Sequence, residues 1–354
     1  MLVPVILLAI APALVSAACK CGFSTGEAAD DGTHLLFTNM LESDFTNMES
    51  VSETNDGVPQ QFNVSAQVAR GRYGKSFSPS NIVARPKAIA EPQDSGSSAV
   101  GGLGLRVEST VRDGTISVAE VDSANMDMHW GSYRAGLKLT PVRGTCAAFF
   151  WYFNDTQEID MEFLSQDYDA EKKKFPVNLV IQSQQSMEAG FDASKTGNYK
   201  RVNLPFDPTA GFHEYRFDYL PGRVAFYADS SKLADMEGAE MPTSAGHLIL
   251  QHWSNGDPKW SGGPPKQDTV FLVSYVKAYF NSSGSQGFRG DQCADPICII
   301  PDVTASNAST GGRFLGDAGT KKKDENGGSQ MQSTNWAFMW TSTLLAALIV
   351  MTSK

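Results

Sequence analysis

Strict alternation over Gln157–Leu164 constrains this chain more than any other stretch. Read with a period of two, Glu158, Asp160 and Glu162 share one face, and Ile159, Met161 and Phe163 share the other. That is the pattern of a strand with one side buried. At about 100° per residue a helix would mix the acids with the apolar groups, so the helical reading fails. Successive carboxylates on the polar face stand roughly 7 Å apart, at about 3.3–3.4 Å per residue. Like charges that close raise one another's pKa. An acidic strand facing solvent is the plain alternative, and the alternation by itself leaves both uses open.

The same period recurs along the chain. Leu103–Glu108, Thr115–Val121, Ala147–Tyr152, Val177–Gln182, Phe212–Tyr219, Val224–Asp229, His247–Trp253 and Val270–Phe280 all read as strands, separated by turns. Many short strands with almost no helical pattern imply an all-β sandwich or barrel. With 354 residues, 41% hydrophobic and 19% charged, the chain has room for one domain of about 200–250 residues plus tails. A net charge of −10 argues against nucleic acid and for a neutral partner such as a glycan. The six Trp and ten Tyr offer flat rings for sugars. Glu158 and Glu162, about 13 Å apart at Cα, can lean together to about 5–6 Å between carboxyls, near the separation of a nucleophile and an acid/base in retaining glycosidases.

Glu158-Ile159-Asp160-Met161-Glu162-Phe163 resembles the signature of glycoside hydrolase family 16, whose members cleave or rearrange β-glucans and related polysaccharides. Its five-residue spacing is similar to the lichenase, xyloglucan-transferase and fungal cell-wall branch. The resemblance extends to Trp130–Lys138, Ala147–Tyr152, Phe212–Tyr219, Val224–Asp229 and His247–Gly256, in the family's order over roughly residues 100–282. It implies a curved jelly-roll β-sandwich of the concanavalin A-like glucanase kind, with the acids on the concave face. It also implies Glu158 as nucleophile, Glu162 as acid/base and Asp160 as their assistant. Trp253 and Trp260, in a Gly/Pro-rich stretch, are expected to stack on sugar. Trp130, Tyr133, Gln182 and Asn255 are further substrate-binding candidates, with Asn178 an alternative to Gln182 as the residue facing the cleft. Trp151 and His213 read as structural. The implied activity is hydrolysis or transglycosylation of cell-wall β-glucan by a monomer without cofactor. A structural calcium occurs in some relatives, but no cluster of ligands here supports one. A non-catalytic, lectin-like glucan binder on the same fold is the alternative.

The two ends point outside the cell. Residues 1–18 read as a secretion signal, with an apolar run from Leu2 to Val15 and small residues Ser16, Ala17 and Ala18 at the cleavage site. The domain is expected over 19–282, and a Ser/Gly/Asn-rich stalk over 283–335. Residues 336–354 read as a hydrophobic glycosylphosphatidylinositol-anchor signal, with Asn326 as the candidate anchor site and a membrane-spanning tail as the alternative. Of five cysteines, Cys19 or Cys21 is expected to bond Cys293 or Cys298, with Cys146 left as a free buried thiol. Sequons at Asn63, Asn154, Asn281 and Asn307 are glycosylation candidates.

Overall fold

In a computed structural model, residues 19–26, 35–48, 50, 56–85, 101–285 and 296–316 are described. The expected signal, Cys293, and the anchor segment with Asn326 lie outside the described residues. Two antiparallel-dominated sheets stack face to face as a jelly-roll sandwich. The front sheet runs, edge to edge, Tyr199–Asn203, Pro176–Gln182, Gln157–Leu164, Cys146–Asn154, His247–Trp253, Thr115–Ser123, Gly74–Phe77 and Phe62–Val64. The back sheet runs Ser231–Glu237, Arg223–Ala228, His213–Leu220, Gly131–Lys138, Thr269–Phe280, Gly102–Val107 and Ile82–Arg85, with Asn39–Asp44 also pairing Thr269–Phe280.

Alternation sorts the side chains. Ile159, Met161 and Phe163 are at most 1% exposed and join Phe149, Trp151, Leu179, Ile181, Tyr215 and Phe217 between the sheets. Phe163 meets Tyr215 edge-on at 4.6 Å between ring centroids. Burying each such side chain contributes roughly 1.5–3 kcal/mol, so the register of the acidic strand is tightly held. A slip of one residue would send its carboxylates into this core.

The back sheet departs from the usual half-solvated pattern. Its outer face carries Arg134, Glu214, Arg216, Asp218 and Lys277, all buried. What covers them is residues 296–316, part of the stretch expected to be a stalk. Lys277 Nζ donates to the carbonyls of Gly311 (2.7 Å) and Arg313 (2.8 Å), and Arg134 Nη1 donates to that of Pro301 (3.0 Å). Ser230 Oγ donates to Val303 O at 2.7 Å. Val303 and Ala308 pack on Tyr275, while Ile300 and Leu315 pack with Phe23, Phe37 and Tyr279. The stalk expectation therefore fails for 296–316. A segment that covers a charged sheet with its own carbonyls needs few large apolar side chains, which is the composition of disorder.

Cys298–Ile299 pairs in parallel with Phe23–Ser24, and Cys19 is disulfide-bonded to Cys298. Cys21 is also disulfide-bonded, and Cys146 is free and buried. Among the sequons, Asn63 and Asn154 are exposed and Asn307 is half-buried. Asn281 is 4% exposed. Its Oδ1 accepts from Thr38 N and Oγ1, and its Nδ2 donates to Leu36 O. The folded protein thus has no room for a glycan on Asn281, which corrects that expectation.

Two chains beginning at Cys19, one ending at Gly316 and one at Ser285, should differ sharply. The longer should melt cooperatively. The shorter should melt at least about 10 °C lower, having lost a disulfide and the cover over buried charge. Equal melting temperatures would contradict the covering role.

Candidate active site

Neighbouring strands decide what surrounds each acid. Across the ladders Glu158 faces Tyr152 and Gln182, Asp160 faces Phe150 and Val180, and Glu162 faces Ala148 and Asn178. Asp160 is 5% exposed, while Glu158 and Glu162 are half-buried. Burial in low dielectric disfavours the charged form of a carboxyl, and all three respond. Burial pushes the Glu158 carboxyl up to about 7, against a hydrogen bond with Asp160 that lowers it. Asp160 is raised well above the usual carboxylate range, first by burial and then by Glu158 and Glu162 on either side. The hydrogen bond between them raises Asp160 and lowers Glu158, so Asp160 acts as its donor and favours the anionic form of its neighbour. Burial also raises Glu162, opposed by hydrogen bonds from Trp260 and Cys146.

Those two bonds converge on one atom. Trp260 Nε1 donates to Glu162 Oε1 at 3.2 Å, and Cys146 Sγ donates to the same oxygen at 3.5 Å. Positive charge comes from the segment around the Gly74–Phe77 strand. The Arg70 guanidinium lies 5.1 Å over the Phe191 ring, and its charge lowers the proton affinity of both Glu158 and Glu162. Lys75 Nζ sits 4.6 Å over the Trp253 ring and also lowers Glu162. Farther along the concave face, Gln251 Nε2 donates to Glu120, whose carboxyl burial pushes up to about 7.

The other candidates divide. Gln182 lies beside Glu158 on the acid face and accepts from Ser186 Oγ at 2.7 Å. Asn178 lies beside Glu162 and accepts from Tyr199 OH at 2.7 Å. Trp260 is at the site, but as a hydrogen-bond donor to an acid. Four expectations need correction. Trp253 is buried among Phe77, Val118, Cys146 and Leu164, with Lys75 over its ring, so no open face is left for a sugar. Tyr133 is fully buried between the sheets and donates its hydroxyl to His129 O. Trp130 leads into a back-sheet strand and stacks on His129 at 4.2 Å, away from the acids. Asn255 is 3% exposed, and its side chain bonds Ala69 O, Asp257 N and Ser261 Oγ, tying two loops together. Trp151 is core, with Nε1 on Met128 O, and His213 stacks on Phe206 beside Asp229.

Arg70, Lys75 and the contact of Cys146 with Glu162 were missed by sequence reasoning. Nothing local marks Arg70 or Lys75, since Lys75 reaches the acids through the pairing of Gly74–Phe77 with Thr115–Ser123, and the loop of Arg70 is held by Asn255. Cys146 is legible as a buried residue of an apolar strand, and its contact with Glu162 comes from the ladder, which sets it two pairs from Ala148, the residue opposite Glu162.

A buried carboxyl whose pKa rises from 4.5 to about 7 on folding binds its proton more tightly in the native state. Its contribution to stability is full below about pH 4.5 and is lost as pH rises through about 7. Glu158→Gln keeps the shape and removes this loss. The variant should melt several degrees above the parent at about pH 8 and converge with it at about pH 4. A gap that does not depend on pH would contradict the assignment.

The family model for glycosyl hydrolases family 16 matches residues 95–271. A beta-glucanase of Paenibacillus macerans is 31% identical over 150 residues, 41% of this chain and 56% of that protein. A probable xyloglucan endotransglucosylase/hydrolase protein 30 of Arabidopsis thaliana is 28% identical over 192 residues, 51% of each chain. The chain thus spans about half the length of these curated relatives. The solved beta-glucanase of Bacillus licheniformis superposes with a TM-score of 0.50 at 17% identity, covering 68% of this chain and 97% of that one, a likeness of fold. With half of its length matched by the model, and with the model's span enclosing the acidic strand, this chain belongs to glycosyl hydrolases family 16.

Proposed function

We propose that the protein is a retaining glycoside hydrolase or transglycosylase acting on β-glucan, with Glu158 as nucleophile, Glu162 as acid/base and Asp160 assisting. The observation that carries this reading is a row of three carboxyls on one strand face with different hydrogen-bond partners, Asp160 with Glu158, and Trp260 and Cys146 with Glu162. Asp160 donates to Glu158 and favours a carboxylate there, while burial raises Glu162 toward the protonated form. Environments that push neighbouring carboxyls into different protonation states are what acid/base assignment requires. Family membership and the beta-glucanase relatives support the substrate class.

The reaction follows from these roles. The Glu158 carboxylate attacks the anomeric carbon as the bond to the leaving oxygen breaks, and Glu162 gives that oxygen its proton. A covalent glycosyl ester remains, and Glu162 is now a carboxylate. It takes a proton from water or from an acceptor sugar hydroxyl, whose oxygen attacks the anomeric carbon and displaces Glu158. Two inversions give net retention. Water yields hydrolysis and a sugar yields transfer, and the same residues serve both, in keeping with a relative whose name carries both activities.

The protein works outside the cell in this reading, held to the plasma membrane by a lipid anchor near Asn326 and facing the wall. The disulfides of Cys19 and Cys21 suit an oxidising exterior. The expected polysaccharide contacts are the half-buried acid-face residues Tyr152 and Gln182, which the ladders align with Glu158, and Tyr199, aligned with Asp160 through Val180.

The test is incubation of the secreted protein and a Glu158→Gln twin with β-glucan oligosaccharides, resolving products by length. Shorter products, or products longer than the substrate, that the twin does not make would support the enzyme. Retained binding with no product from either would overturn it in favour of a glucan-binding protein. Asp160→Ala removes the donor to Glu158, so the acid limb of its kcat/KM profile should move to higher pH. An unmoved limb would contradict the assisting role.

A further inference from the structure

The donors on Glu162 occupy one of its two oxygens, and that asymmetry has a chemical consequence. A carboxyl oxygen has two lone pairs in its plane. Oε1 of Glu162 accepts from Trp260 Nε1 at 3.2 Å and from Cys146 Sγ at 3.5 Å, so both are taken. The indole N–H is a donor only and cannot exchange roles. The acid's own proton is then left to Oε2. We propose that Cys146 and Trp260 are positioning residues that commit Oε1 of Glu162 and reserve Oε2 as the oxygen that delivers and recovers the proton. This rests on Glu162 being the acid/base of the reaction.

Both donors are held from outside the acidic strand. Cys146 is fully buried at the start of the neighbouring strand, paired with Leu164 on one side and Trp253 on the other. Its thiol has one competing acceptor, its neighbour's carbonyl Ala147 O at 3.6 Å. Trp260 packs against the cluster that contains Cys146 and Trp253. Its backbone is pinned by Gln166 Nε2 on Trp260 O and by Trp260 N on Asp257 O. The donors favour the carboxylate, while burial favours the acid. The balance suits a group that must give a proton in one half-reaction and take one back in the next.

The experiment compares Trp260→Phe, Cys146→Ala and Cys146→Ser with the parent on two substrates. One is a β-glucan oligosaccharide, whose sugar leaving group needs the proton. The other is the matching 2,4-dinitrophenyl β-glycoside, whose leaving group does not. Trp260→Phe should lose about tenfold or more in kcat/KM on the oligosaccharide and less than about threefold on the dinitrophenyl glycoside. The basic limb of its pH profile should move up, because a donor that favoured the carboxylate is gone. Cys146→Ala should show a smaller effect in the same direction, and Cys146→Ser should restore it. Equal losses on both substrates, or an unmoved basic limb, would overturn the proposal. Glu162→Ala is the control. If it too fails to discriminate between leaving groups, the acid/base reading of Glu162 falls, which is a distinct failure from that of its positioning residues.

Discussion

Three carboxyls on one face of a buried strand cannot all be ionised, and the rest of the front sheet is arranged around that constraint. Burial raises each of them, and Asp160 is raised further by the glutamates on either side. Unrelieved, the cluster would be neutral and inert. Three kinds of relief are built in: a hydrogen bond from Asp160 to Glu158, two donors on Glu162, and the charges of Arg70 and Lys75 from the segment around Gly74–Phe77. In a chain of net charge −10, placing Arg70 and Lys75 near the acids is a local reversal of sign. On Glu162 their charge adds to the relief given by the two hydrogen bonds, and on Glu158 Arg70 adds to that given by Asp160.

The sandwich supplies the rigidity this arrangement needs. Hydrogen bonds at 3.2 and 3.5 Å to one carboxylate oxygen hold only if the strands and the loop after Trp253 are fixed. The fixing comes from apolar packing below the sheet and from buried polar ties above it, Asn255 chief among them. Behind, the back sheet keeps its charged outer face through residues 296–316, whose carbonyls receive Lys277 and Arg134. Breaking such a cover strands buried charge, so a segment far from the acids carries much of the domain's integrity.

What was legible in the sequence follows from which information is local. Alternation over Gln157–Leu164 gave the strand, its buried face and its acidic face, and the same period located most other strands. Trp253 was misread because an indole's type does not tell whether a remote lysine covers it, and Lys75 comes from a strand paired across the sheet. Tyr133 alternates inward between Ser132 and Arg134, a reading available from period two but overridden by a preference for tyrosine as a sugar contact. Residues 296–316 look disordered because they cover polar groups largely with backbone, a role that leaves only a weak hydrophobic signature in Ile300, Val303, Ala308 and Leu315. The Cys146 thiol was placed correctly in the interior. Its contact with Glu162 needed the ladder register, which no single stretch encodes.

The proposed role of Glu158 as nucleophile requires a covalent bond between it and the sugar. Its most direct test is to incubate the enzyme with a 2-deoxy-2-fluoro β-glucosyl oligosaccharide carrying a good leaving group, then digest the protein and locate the adduct by mass spectrometry. The fluorine slows hydrolysis of the intermediate more than its formation. A single glycosyl adduct on the peptide bearing Glu158 is the expected result. An adduct on a different residue, or turnover of β-glucan with inverted products and no adduct, would contradict the account.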